Sequence, residues 1–242
     1  MKARSRSSWT RTRRSSAPRP PRPAKTPTLQ AVLEQLRALS SKGVSVPRLH
    51  NLARRVGKSQ ELAEALWRSG TRKARILAIL IGEPDKISSA QMEKWVRDFN
   101  SWDLVDAACC YLYAYAKPAW SKVAPWSRRG PEFEKRAAFS LLAYLSYKDK
   151  DAPDERFRRC FGLIERQAHD ERNFVRKAVN WALRNIGKRN LALHRAAIAV
   201  AERLARQESH SARWIAHDAL RELKSSAVER RLRAKEERKA RR

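Results

Sequence analysis

Past Thr28, apolar residues recur at the three- and four-residue spacing of helices, and no alternating strand rhythm appears. In 133–148, FEKRAAFSLLAYLSYK, one side of the wheel carries Phe133, Ala137, Leu141, Tyr144 and Leu145. Arg136 heads a different stripe with Ser140, Ala143 and Tyr147. In 171–190, ERNFVRKAVNWALRNIGKRN, the core face is Phe174, Ala178, Val179, Ala182 and Ile186. Lys177, Arg184 and Lys188 make a basic stripe there, and Trp181 sits at the boundary. In the helix that opens at Trp102, residues Leu104, Val105, Ala108, Tyr111, Leu112 and Tyr115 cluster toward a core. Trp102, Asp106, Cys109 and Tyr113 form a second stripe, so Trp102 and Asp106 project together, away from the core centre.

Pro47, Pro84, Pro118, Pro125, Pro131 and Pro153 fall between helical stretches, as do Gly43, Gly57, Gly70, Gly82, Gly130 and Gly187. That is where starts and stops belong. The spacing predicts helices near 28–41, 47–56, 59–68, 72–81, 88–98, 101–116, 131–149, 153–168, 171–187, 190–206 and 210–224, with a short piece near 119–127. About eleven helices with short joints imply an all-α array of antiparallel pairs. The pairs recur at roughly the 30–40-residue spacing of helical solenoids. No repeated sequence signature accompanies them, and a compact bundle is the alternative.

Charge changes the picture more than composition does. The 242 residues hold 54 Lys+Arg against 25 Asp+Glu, a formal +29, which points to a polyanion, nucleic acid first. Residues 1–27 carry nine cations and no acid, in an Arg/Ser/Pro-rich stretch too polar to order itself. A nucleic-acid-binding arm is the preferred reading of that stretch, an organellar transit peptide the alternative. Residues 226–242 read as a second basic tail, net +5. With those ends removed, +15 remains on 28–225, so the folded body is itself basic. No apolar run approaches the ~20 residues that span a bilayer. Cys109, Cys110 and Cys160 support neither a disulfide framework nor a zinc site and suit a reducing cytosol. The histidines form no metal-like cluster, and neither a cofactor nor a metal is expected.

Asp103 has a plain role in the first turn of its helix, near free N–H groups and the dipole. Asp106 lies beyond that turn, where a solvated or salt-bridged carboxylate is the ordinary outcome. Trp181 amid snorkelling cations is equally at home as a core residue or as an aromatic plate beside a phosphate-binding strip. Arg136 is ordinarily a surface ion-pair partner.

LAEALWRSGTRKARILAILI, QMEKWVRDFNSWDLVD, EFEKRAAFSLLAYLSYKDK and NFVRKAVNWALRNIGKRN together resemble the DNA alkylation repair enzyme family of AlkD-type HEAT-like repeat proteins. They run in family order over most of 50–190, with weaker agreement to about 225. The resemblance implies a curved solenoid of antiparallel HEAT-like helix pairs over 28–225, holding duplex DNA on a basic concave face. It further implies a glycosylase that excises purines alkylated at N3 or N7. The family's pattern is a Trp and an Asp one turn apart, an Arg, and a later Trp. By motif these are Trp102 and Asp106 of WDLVD, Arg136 of RAAFSLL, and Trp181 of KAVNWALR. On this reading Arg136, Lys177, Arg184 and Lys188 hold backbone phosphates. The partner is double-stranded DNA with alkylated bases, met by a monomer in the cytoplasm, at the nucleoid in a bacterium. The long basic tails depart from the family pattern. A non-catalytic HEAT-like nucleic-acid binder and a protein-interaction scaffold are the competing readings.

Overall fold

The computed structural model describes residues 27–40 and 46–241. Residues 1–26, expected to be a loose basic arm, lie outside the described residues, as does Gly43. The first four helices are α1 (Leu29–Ser40), α2 (Val46–Val56), α3 (Gln60–Arg68) and α4 (Arg72–Ile81). Next come α5 (Ser89–Arg97), α6 (Trp102–Tyr111), α7 (Ala119–Ser127) and α8 (Glu132–Lys148). The series closes with α9 (Asp154–Gln167), α10 (Asn173–Gly187), α11 (Leu191–Ala205), α12 (His210–Leu223) and α13 (Ser226–Ala240). There is no strand among the described residues.

Local chemistry sets many of these boundaries. Ser59, Thr71, Ser88, Asn190 and Ser209 each accept a hydrogen bond from the backbone N–H three residues on, a side-chain N-cap. Pro118, Pro131 and Pro153 stand immediately before α7, α8 and α9, where the missing N–H is no loss. Gly57 and Gly70 turn the chain out of α2 and α3 at φ +80° and +76°. A side chain would strain both positions.

The even-numbered helices touch in succession, α2 to α4 and on through α6, α8, α10 and α12. The odd-numbered helices form the second layer, where α1 meets α3, α7 meets α9, α9 meets α11 and α11 meets α13. Side-chain hydrogen bonds repeat the period: Trp67 to Asp98 (31 residues), Trp120 to Asp149 (29) and Asn180 to Asp218 (38). That period is what a stack of helix pairs requires, and the fold is an all-α HEAT-like solenoid. Its apolar interior is continuous from Val32 to Leu223. Trp67 and Trp95 are stacked inside it, with ring centroids 4.1 Å apart.

Three expectations are corrected. The helix foreseen over 101–116 ends at Tyr111, and a 3₁₀ turn follows at Tyr113–Tyr115. The cause is Tyr113, which turns inward, fully buried between Phe99 and Trp126. Tyr111 and Tyr115, assigned to the core face, are exposed, whereas Cys109 and Tyr113 of the Trp102 stripe are buried. Pro125 does not separate helices but lies inside α7. Residues 226–240, taken for a tail, are helix α13, which buries Leu232 and contacts α11 and α12.

Candidate active site

The site is built where α6, α8 and α10 lie side by side in the even layer. Helix α8 is buried without interruption from Arg136 to Ala143, with Arg136 and Ser140 as the polar members of that run. A cation and a hydroxyl one turn apart in such a place need partners. Both find Asp106 on α6. Arg136 Nη2 donates to Oδ2 at 2.7 Å and to Oδ1 at 3.0 Å, and Ser140 Oγ donates to Oδ1 at 2.9 Å. Arg136 Nη1 donates to the Phe174 carbonyl of α10 at 2.8 Å, so one guanidinium ties three helices.

A carboxylate offers about four lone-pair positions. Three contacts to Asp106 leave one open, on Oδ2, and the side chain keeps 20% of its surface exposed. One turn earlier, Trp102 stands half exposed, at 51%. It makes no ring contact among the described residues. A large indole thus stands in solvent one turn from an oriented carboxylate.

Trp181 reaches the site through Tyr144. The two rings meet edge to face at 4.9 Å, and Tyr144 lies 5.6 Å from Tyr147. The Tyr144 hydroxyl faces Cys110; burial first, then Cys110 and the Asp106 charge, push its pKa far up. The Tyr147 phenol is pushed up to about 12 by burial first and then by Cys110. Both phenols therefore stay neutral near Asp106. Burial above all also pushes the Cys109 thiol well up, so it is no nucleophile.

The aromatic surface extends farther than sequence showed. Tyr111 meets His50 of α2 edge to face at 5.0 Å, and Lys148 stands over both Tyr115 and Tyr147. Tyr144, assigned to the core face, does pack against the core, whereas Tyr111 and Tyr115 were placed on the core face and are exposed. The available signal was the tyrosine density of YLYAY and AYLSY.

The basic residues are placed differently from expectation. Arg136 is nearly buried and engaged by Asp106 and Phe174, so it positions the carboxylate and is not free to hold phosphates. Arg184 pairs with Glu222 and lies 3.4 Å from Asp218, and Lys188 pairs with Glu222 at 2.5 Å. Of that stripe, Lys177 is exposed and without an ion pair among the described residues. Among those residues no cluster of three or more metal-ligating side chains occurs, and no helix is long and apolar enough to cross a membrane.

Comparison with known proteins adds the last finding. A family model, DNA alkylation repair enzyme, matches residues 22–231. A solved structure is described as a new family of proteins related to the HEAT-like repeat DNA glycosylases with affinity for branched DNA structures. It superposes with a TM-score of 0.63 at 21% identity, over 72% of this chain and 82% of that one, and so shares the fold. No curated protein matches the sequence.

Proposed function

The chain belongs to the DNA alkylation repair enzyme family, and from that premise we propose that it is a monofunctional DNA glycosylase for cationic N3- and N7-alkylpurines. The observation that carries the proposal is the state of Asp106. Its carboxylate is fixed by Arg136 and Ser140, keeps one edge toward solvent, and lies one turn from a half-exposed Trp102.

The chemistry asks little of the protein. Alkylation makes the purine a cationic leaving group. As the C1′–N bond lengthens, its electron pair leaves with the base, which becomes neutral, and positive charge builds on the deoxyribose. An oriented carboxylate in a partly dry site stabilises that charge. Water then adds to C1′ and gives up a proton, leaving an abasic sugar. The open position on Oδ2 suits that water. Trp102 and Trp181 supply aromatic faces for the cationic nucleotide, each worth about 0.5–2 kcal/mol. Such a site selects for charge and disfavours neutral adducts.

The test is incubation with randomly methylated duplex DNA and chromatography of the freed bases. Methylpurines should appear, and Asp106→Asn should slow their release by roughly 10²–10³-fold, the scale of losing one preorganised electrostatic contact, with duplex binding kept. Wild-type turnover in Asp106→Asn would remove the assigned role.

Two observations favour a second reading, non-catalytic DNA binding. The ion pair with Arg136 offsets much of the Asp106 charge. The solved neighbour is described by its affinity for branched DNA. Tight, salt-sensitive binding with no free base would select this reading.

A further inference from the structure

A cavity of about 800 Å³ lies between the C-terminal ends of α8 and α10, the joint at 149–153, and α13. None of Trp102, Asp106, Arg136 and Trp181 lines it. Arg231, Lys235 and Arg238 all do, and their i, i+4, i+7 spacing makes them one stripe of α13. Lys150 belongs to another wall. The joint that bears it is anchored by Arg189, whose guanidinium donates to the carbonyls of Ser146, Asp149, Lys150 and Ala152.

The cations in this cavity outnumber their partners. Lys188 is committed to Glu222, and the Asp154 carboxylate is offset by Arg189, whose Nε lies 3.8 Å away. That leaves Glu236 as the carboxylate facing Lys150, Arg231, Lys235 and Arg238. The Lys235 pKa is lowered by burial and then by Lys150, Arg189 and Arg231. Asn185 Nδ2 is buried with no hydrogen-bond partner among the described residues, and Asn185 lines the same cavity. Convergent like charges beside an anchored loop make a site suited to an anion.

We propose that this cavity is a second phosphate-binding site, seating two or three successive backbone phosphates of a DNA strand. The α13 stripe spans about 10 Å at 1.5 Å per residue, longer than the ~3.4 Å axial rise between successive phosphates of one strand, so its cations can meet more than one of them. Tyr147 lies on the rim and connects through Tyr144 to Trp181, giving the bases an aromatic path toward Asp106. The DNA assignment rests on the family reading, whereas the phosphate chemistry follows from the cavity itself. A free polyphosphate is the other source of the same groups.

The test compares Arg231→Ala/Lys235→Ala/Arg238→Ala with an equal charge loss on α9, on α11 and at the α11 C-cap, away from the cavity, Arg158→Ala/Arg195→Ala/Arg206→Ala. Binding to an undamaged duplex is followed by fluorescence anisotropy across salt, and sodium tripolyphosphate is titrated calorimetrically. The cavity variant should lose about 2–3 from the log–log salt slope, at ~0.9 per phosphate, and the control less than 1. If tripolyphosphate binding disappears in the cavity variant while its slope matches the control, the site stands and free polyphosphate is its ligand. Equal slopes together with equal tripolyphosphate heats in both variants would overturn it. If the triple variant loses α13 by circular dichroism, Arg231→Gln/Arg238→Gln repeats the comparison with two charges. Base release is not read in any arm, so failure here leaves the glycosylase reading untouched, and failure of that reading leaves these slopes standing.

Discussion

Arg136 Nη2 spans both oxygens of Asp106, at 2.7 and 3.0 Å, from a helix on which Arg136 itself is nearly buried. On the proposed reading the pair has a structural and a functional role, and the two separate by mutation. Arg136→Ala leaves Asp106 with Ser140 as its remaining hydrogen-bond donor, which should cost about 1–3 kcal/mol. Adding Asp106→Ala should return part of that loss, since no unpaired carboxylate remains. Urea melts of the two single variants and the double variant check it. A double variant less stable than Arg136→Ala alone would mean that Asp106 finds another partner once Arg136 is gone.

Trp102 and Trp181 should respond differently. Trp102 is half exposed, so Trp102→Ala should change stability by no more than about 0.5 kcal/mol while lowering release of cationic bases. Trp181 packs on the core and against Tyr144. Trp181→Ala should therefore lose about 2–4 kcal/mol, most of it restored by Trp181→Phe. Thermal melts beside single-turnover base release distinguish the two. Normal release by Trp102→Ala would count against an aromatic contact at that position.

Asp170 gives a pH prediction. Burial alone would raise its carboxyl, but hydrogen bonds from Arg172 and then Lys135 outweigh burial and hold it well below the usual carboxylate range. Lys135 Nζ lies 3.0 Å away and Arg172 Nε 2.9 Å away. A group depressed in the folded state stabilises above its unfolded pKa, about 3.9 for Asp. That stability fades as pH falls toward the folded value. Wild-type Tm should thus drop more steeply below about pH 4 than that of Asp170→Asn, which should melt lower at pH 7. Parallel Tm profiles would show that Asp170 does not couple folding to protonation.

Much of the helical layout was legible because its punctuation is local. Pro118, Pro131 and Pro153 stand at helix starts and Gly57 and Gly70 at helix ends, and a single sequence shows that. The end of α6 was not legible, because Tyr113 obeys Phe99 and Trp126, which are distant in sequence. The Trp102–Asp106 pairing could be read from a one-turn spacing. The role of Arg136 could not, since a wheel shows which side a cation occupies but not the carboxylate 30 residues away that claims it. Arg184 and Lys188 look free on their own helix for the same reason, yet both meet Glu222 of α12.

Gly187 looked from sequence like a helix stop, and the structure gives it a second reason. It ends α10 where α11 and α12 close in. A Cβ there would lie 2.8 Å from Leu223 Cδ2 and 2.9 Å from Ala197 Cβ. Its φ is not positive, so the backbone would accept alanine and gain up to about 1 kcal/mol of helix propensity. Overpacking opposes that gain by about 1–3 kcal/mol. The Leu223 tip can swing aside, but the Ala197 methyl is fixed to its backbone and cannot. Gly187→Ala should therefore be destabilising by about 1–2 kcal/mol, and Ala197→Gly should relieve part of the clash in the double variant. Trp181 lies more than a turn upstream on α10, so base release should fall less than stability does. Urea melts and single-turnover assays read the two effects, and a Gly187→Ala variant more stable than wild type would mean that these three helices do not meet as closely as their positions imply.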